Sequence, residues 1–311
     1  MREAIAALED AFKEEATGSA VMPPRTSISI PRKDGWLGIM PAFLERAESL
    51  STKIVTVYNG NQSRNLPVVM ATIVLNNPAT GEVLSIMDGT YATAMRTGAL
   101  GGLAAKYLAR NDAHVVGVFG AGVQARTQLA ALSEVRAVTQ AKVYDPITDR
   151  ARNFAKEMGT KLRIPVQVCA SGIDCVVGSD MIVTASTSKE PLFEGRLIRA
   201  GVHINAFGSF KPDERELDTE TVKKSRVIVD LRVAAMAEAG DLIIPMKEGK
   251  IADSLFAEIG EVITGSRPGR VSPEEITLFK SVGVGIQDCA IASLAYRKAR
   301  EAGIGTEITL D

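Results

Sequence analysis

The sequence has little of what metal sites, hydrolytic triads and disulfide frameworks are made from. Its histidines are His114 and His203, and its cysteines are Cys169, Cys175 and Cys289. Two histidines argue against a multi-histidine metal site and against a Ser-His-Asp arrangement, and no metal is expected. Three scattered cysteines cannot build a disulfide framework. Cys169 and Cys175 flank an apolar segment and read as small core hydrophobes. Charge of one sign is also lacking: the formal net charge is −1, so neither nucleic acid nor a membrane surface is an expected partner. No apolar run approaches the roughly 20 residues that span a bilayer, and no secretory signal opens the chain. The cytoplasm is the expected compartment. What remains is chemistry by lysines, arginines, carboxylates or a cofactor.

What is present is an ordinary globular composition, 46% hydrophobic and 23% charged over 311 residues, a length suited to two modest domains. EAIAALEDAF near the start has apolar residues at helical spacing. Strand-like runs follow: TSISI, WLGIM, KIVTVYN from Lys53, VVMATIVLN from Val68, and EVLSIM from Glu82. The turn formers NNPATG (76–81) predict a hairpin between the last two, so this sheet should be largely antiparallel. Past Thr90 the period changes. Leu100, Leu103, Ala104, Tyr107 and Leu108 recur at helical spacing and predict a connecting helix. From His114 onward short strands (HVVGVFG, KVYD, VQVC, MIVTAS, HINAFG, RVIVD) alternate with helical or loop segments, which predicts a parallel sheet covered on both faces. A last helix spans roughly Gly283 to Ala302. The expected domains are 1–112 with 286–311, and 113–285 between them.

The sharpest motif is Gly120-Ala121-Gly122-Val123-Gln124-Ala125, which follows an apolar strand and opens a helix. Glycines let the backbone turn tightly and approach a pyrophosphate, whose charge meets free N–H groups and the helix dipole. Ala125 is small enough for close helix–strand packing. Asp145 ends the next strand, twenty-five residues after Gly120, where a carboxylate accepts from the adenine-ribose hydroxyls. The same charge repels a 2′-phosphate, so NAD is expected and NADP is the second choice. Arg150 and Arg152 lie nearby and are read as solvated helix residues.

On the substrate side the residues leave choices open. Lys53 opens its strand and shares a face with Val55 and Val57. It is either the last solvated residue of the strand or a cation lining a pocket. Arg96 falls at the start of the connecting helix, where a cation opposes the macrodipole and has no local reason to be. Arg25 follows Met22-Pro23-Pro24, a rigid lead-in to a strand.

Taken together, MPPR (22–25), IMPA (39–42), Lys53, LPVVMATIVLN (66–76), ATAMRTGA (92–99), GAGVQA (120–125), HINAFG (203–208), EIGEVITG (258–265) and TLFKSVGVGIQD (277–288) resemble the ornithine cyclodeaminase/μ-crystallin family over nearly the whole chain. The resemblance implies an α/β fold in which a Rossmann dinucleotide-binding domain is inserted into a largely antiparallel, β-rich substrate and dimerisation domain. It implies a homodimer acting on a small imino or amino acid. By the same resemblance Arg25, Lys53 and Arg96 hold the substrate carboxylate and bracket the reacting carbon, with Met40, Phe210 and Ser281 beside the ligand. Lys53 and Arg96 are the expected catalytic pair. Thr97, Gly120, Ala121, Gly122, Val123, Gln124, Asp145, Thr184, Ala185, Ser186 and Phe207 are the expected cofactor residues.

Two departures bear on the reaction. The family's cyclodeaminases and archaeal alanine dehydrogenases carry an aspartate two residues after the glycine matching Gly208, and Phe210 stands there instead. Without that carboxylate a water or ammonia nucleophile lacks its base, and the run looks more like the family's pyrroline-2-carboxylate and ketimine reductases. Reduction of a cyclic 2-imino acid is therefore the expected activity. Ornithine cyclodeamination and alanine dehydrogenation are the first alternative, and a non-catalytic μ-crystallin-like binding protein the second. Family members also carry a segment ahead of the first helix, where this chain begins with Met1. The resemblance thus implies a truncated chain or one lacking that segment.

Overall fold

The structure, a computed structural model, describes residues 1–252 and 256–309. Its contacts fall into two compact units, Asp10–Arg96 with Val284–Asp311, and Met1–Glu9 with Thr97–Gly283. The expected boundary lies after the connecting helix, whereas this division runs through it.

The first unit is built on a sheet of β1 (Ala20–Val21), β2 (Thr26–Ile30), β3 (Gly35–Leu44), β4 (Ser49–Tyr58), β5 (Val69–Asn76) and β6 (Val83–Asp88). Every pairing is antiparallel, in the order β1-β3-β4-β5-β6, with β2 also on β3. The predicted hairpin joins β5 to β6: Asn77 N–H donates to Glu82 O at 2.8 Å, and Gly81 supplies the positive φ of +79°.

Alternation gives this sheet two different faces. Ser51, Lys53, Val55 and their cross-strand partners Met40, Ala42, Ile73 and Ala71 point one way and are buried. The helix Gly285–Ala302 packs on that side against β3, β4 and β5. The other face carries Ile28, Ile54, Met70 and Ile86, all exposed.

The second unit holds an eight-stranded sheet, parallel throughout. Its strands are β7 (Val115–Phe119), β8 (Gln140–Tyr144), β9 (Val166–Val168), β10 (Met181–Thr184), β11 (His203–Ala206), β12 (Ser225–Val229), β13 (Ala257–Glu258) and β14 (Ile276–Lys280). Their order is β13-β12-β14-β11-β10-β7-β8-β9, with β11 and β10 paired at the centre and β7 beside β10. Two apolar clusters line the sheet, one around Val116, Leu129 and Phe154, the other around Phe119, Ile204 and Leu278. Cys169 and Cys175 pack into the second cluster as free thiols. Strand β14 sits between β11 and β12 although its sequence, ITLFK, ends on a charge. Lys280 is wholly buried there because Asp241 lies 2.7 Å from its Nζ and Ser209 O accepts from it at 2.6 Å.

The helix Gly89–Leu108 starts earlier than the sequence period suggests. Asp88 accepts from Thr90 N–H at 2.8 Å and so caps it. These hydrogen bonds hold the Asp88 carboxyl below its ordinary range. Arg96 is consequently two turns inside the helix rather than at its start, and the macrodipole has no bearing on its placement. Among the described residues no helix is long and apolar enough to cross a membrane.

Candidate functional site

In the parallel unit the glycine motif lies at the carboxyl end of β7, as an open α/β sheet requires for a ligand site. Gly120 has φ +92°, and a Cβ there would lie 2.5 Å from Ala185 O. Only glycine fits a turn that must pass this close to the next strand end. Gly122 is different: its φ is −84°, and a Cβ there would meet no atom within 4 Å. Its value is the open space over the backbone. The helix Val123–Val135 begins directly after it, and no side chain caps that start. Those first N–H groups therefore suit an anion. Gln124 Oε1 is buried without a hydrogen-bond partner, a second polar group left to be satisfied at this end of the sheet.

Asp145 follows β8 and is half-buried. Its Oδ2 accepts from Ala121 N–H and its Oδ1 from Ile147 N–H, both at 2.9 Å. It thus braces the glycine turn, a role the sequence motif does not disclose. Arg152 is exposed and pairs with Asp149 at 3.0 Å, as a solvated helix residue does.

The ends of the neighbouring strands carry Thr184, Ala185, Ser186 and Phe207. Ser186 is held by Glu216, whose Oε1 accepts from its N–H at 2.8 Å and its hydroxyl at 2.6 Å. Phe207 packs on Phe279 with ring centroids 5.8 Å apart. Thr97 O accepts from buried Gln128 at 2.9 Å. Ser281 donates to Asp230 Oδ2 at 2.7 Å, and the same oxygen accepts from Val282 and Gly283 N–H groups at 2.9 Å. Phe210 is half-buried against the Phe119 cluster. Phe210, Ser281 and the expected cofactor residues all belong to this unit.

Arg25, Met40, Lys53 and Arg96 belong to the antiparallel unit, and there they converge. Lys53 is the fifth of ten residues in β4, not its first, and is only 1% exposed. The reading of a solvated strand end is thereby excluded. Its cross-strand neighbours are Met40 and Ile73, both buried and apolar. Asp288 Oδ2 lies 2.6 Å from its Nζ. The other Asp288 oxygen is 3.3 Å from Arg96 Nε, and Arg96 also donates to Gln287 Oε1 at 2.7 Å. Arg25 stands over the Trp36 ring at 5.4 Å and adds its positive charge to the field at Lys53.

Burial dominates the Lys53 ammonium and lowers its pKa from 10.5 to about 8, with Arg96 and Arg25 pushing the same way and Asp288 opposing them. Such a cation binds a carboxylate at neutral pH and gives up a proton more readily than a free lysine. Asp288 and Gln287 are the residues that sequence reasoning missed. They close the GVGIQD run and open the last helix, and an acidic residue in a first turn ordinarily needs no other explanation than the dipole. Its complete burial is the signal, and burial is not visible in one sequence. Among the described residues no group of three or more His, Cys, Asp or Glu side chains is placed to hold a metal.

The eight-stranded parallel sheet with a glycine turn at its β7 end defines a Rossmann-type dinucleotide-binding domain, inserted in sequence between the two segments of an antiparallel domain that begin at Asp10 and Val284. Residues 1–303 match the model of the ornithine cyclodeaminase/mu-crystallin family, and the chain belongs to that family. It is 47% identical to the solved Delta(1)-pyrroline-2-carboxylate reductase of Thermococcus litoralis in complex with NADH and L-proline, with a TM-score of 0.97 over 99% of this chain and 96% of that one. A solved archaeal alanine dehydrogenase dimer with bound NAD is 38% identical, with a TM-score of 0.94 over 100% and 95%. The alanine dehydrogenase of Archaeoglobus fulgidus is 39% identical over 99% of this chain and 94% of its own.

Proposed function

We propose that this protein is an NAD(H)-dependent reductase of small cyclic 2-imino acids, of which pyrroline-2-carboxylate is the reference substrate and proline the product. The observation that carries the reading is the buried cluster of Lys53, Arg96 and Asp288, two cations and one anion on apolar walls, beside Arg25. It suits a carboxylate that must be oriented and a nitrogen that must be protonated. The similarity to the Thermococcus litoralis reductase supports the same substrate class.

NADH, when bound, supplies the hydride for the imine carbon. Gly120, Ala121, Gly122 and Val123 would hold its pyrophosphate, and Asp145 its adenine ribose. Gln124, Thr97, Thr184, Ala185, Ser186 and Phe207 would complete the cofactor site. Arg25 and Arg96 neutralise and orient the substrate carboxylate, and Lys53 hands a proton to the imine nitrogen. Orientation of reacting groups accounts for up to ~7–11 kcal/mol of a barrier in favourable cases. Met40 forms part of the apolar wall, and Phe210 and Ser281 are assigned to the substrate side. Phe210 stands where the family's deaminating members carry a carboxylate, which leaves ammonia or water without a base.

A second reading, alanine dehydrogenation, is favoured by the 39% identity to the Archaeoglobus fulgidus enzyme. NADH oxidation followed with pyrroline-2-carboxylate, and in parallel with pyruvate plus ammonia, decides between them. Turnover of the cyclic imine alone supports the reductase; turnover of pyruvate plus ammonia alone overturns it. We also infer a homodimer in the cytoplasm. The exposed apolar face with Ile28, Ile54, Met70 and Ile86 and the dimer of the archaeal relative support the dimer, and three free thiols suit a reducing compartment.

A further inference from the structure

We propose that Asp288 is a positioning residue that keeps Lys53 protonated and aimed while clamping Arg96 on its other oxygen, so that one carboxylate sets both the proton supply and the anion site. The proposal rests on the reductase reading and names a residue beyond it.

The geometry is specific. Both oxygens of Asp288 are engaged by cations from different elements, β4 and the helix Gly89–Leu108, while the carboxylate itself is carried by a third, the helix Gly285–Ala302. Asp288 is 1% exposed and Lys53 likewise, so neither charge is compensated by bulk water. No hydrogen bond from a backbone or hydroxyl donor reaches either Asp288 oxygen among the described residues. The carboxylate is thus not a structural cap; its partners are the two cations.

Each element packed around Lys53 contributes a group. Asp288 faces it from the last helix, Arg96 from the connecting helix and Arg25 from the segment before β2, while Met40 and Ile73 flank it as uncharged strand neighbours. Cys289, adjacent to Asp288, is buried and its thiol is pushed up, so it stays neutral. Desolvation and the two arginines lower the Lys53 pKa, and Asp288 raises it. Without that carboxylate, the Lys53 pKa would fall further and less of the ammonium would be present at neutral pH to donate a proton.

During turnover the imine carbon gains the hydride and the C=N π pair moves to nitrogen. Nitrogen takes a proton from the Lys53 ammonium, leaving a neutral amine hydrogen-bonded to the Asp288 carboxylate. A proton from solvent then restores the ammonium, and the carboxylate holds it there.

The test is Asp288→Asn with Asp288→Glu as the conservative control, both checked for a cooperative melt. In ε-13C-lysine NMR without substrate, the Lys53 resonance, assigned by its loss in Lys53→Met, should titrate at least one pH unit lower in Asp288→Asn. In Asp288→Glu it should stay near the wild-type midpoint. The alkaline limb of kcat should move down by the same amount, with at least about a fivefold loss of kcat at pH 8 and NADH affinity unchanged. An unmoved Lys53 titration, or a kcat loss equal at every pH, overturns the proposal. If Asp288→Asn does not fold, Lys53→Met/Asp288→Asn is compared with Lys53→Met across pH. A further loss confined to a higher KM, through Arg96, with equal kcat values supports the two roles, and a further loss of kcat overturns the action through Lys53. The NMR titration needs no substrate, so it tests Asp288 even if wild type turns over no cyclic imine, the outcome that would instead defeat the reductase reading.

Discussion

Glu216 ties Ser186 to Gly208: one carboxylate oxygen accepts from the Ser186 N–H and hydroxyl, and the other from the Gly208 N–H at 2.9 Å. The two residues follow adjacent strands, β10 and β11, so a single buried side chain sets the spacing of two loops. Replacing Glu216 with Ala strands three part-buried donors and should cost about 1–3 kcal/mol in a urea melt, with weaker NADH binding as the second readout. Burial, followed by the neighbouring Asp241, raises the Glu216 pKa above 4.5. A raised carboxyl contributes its stability below the ordinary glutamate value and loses it as pH climbs through the folded value. The stability gap between wild type and Glu216→Gln should therefore narrow as pH increases from about 4.5. A gap that widens would contradict the assignment.

Lys53→Met removes one partner of a fully buried pair. We expect kcat to drop by about 100-fold or more, in the range that positioned acid–base groups contribute. Stability should fall by about 3–5 kcal/mol because Asp288 keeps its charge. NADH affinity, read by fluorescence titration, should hold. Normal turnover at saturating imine would remove Lys53 from the mechanism.

The wild-type pH profile carries its own prediction. Activity that needs the Lys53 ammonium is full below its folded pKa and declines as pH rises, with the midpoint near 8. A free lysine would place that midpoint near 10.5. Measuring kcat from pH 6 to 10 separates the two.

Two glycines should respond differently to alanine. Gly120→Ala meets both the left-handed φ of +92° and a Cβ 2.5 Å from Ala185 O, and should lose about 2 kcal/mol or more of stability together with cofactor affinity. Gly122→Ala has room for its Cβ, so thermal stability should change little while NADH binding weakens about tenfold. Differential scanning fluorimetry with and without NADH reads both effects. Equal stability losses in the two variants would refute the distinction.

Asp145→Ser should shift cofactor preference toward NADPH by removing the charge that repels the 2′-phosphate. It should also lower affinity for both cofactors, because Asp145 braces Ala121. The ratio of kcat/KM values for NADH and NADPH, alongside each Kd, measures the two consequences separately.

The sequence determined what depends on local order: alternation for β2 to β6, helical spacing for the connecting helix, the NNPATG hairpin and the glycine turn. Each is a short-range pattern whose physics lies within a few residues. Lys53 and Arg96 stood out only through the family resemblance: the residues alone left Lys53 open to a solvated strand end, and the helix start assigned to Arg96 is not where it lies. Tertiary structure alone decided what depends on burial and on distant partners. Strand β14 joins the interior of the parallel sheet despite ending on Lys280, because Asp241, thirty-nine residues earlier, neutralises that charge. Asp288 reads as an ordinary first-turn acid until the chain brings it 2.6 Å from Lys53, 235 residues away in sequence. A charge buried among apolar walls is governed by the partner it meets, and that partner is set by the fold rather than by its neighbours along the chain.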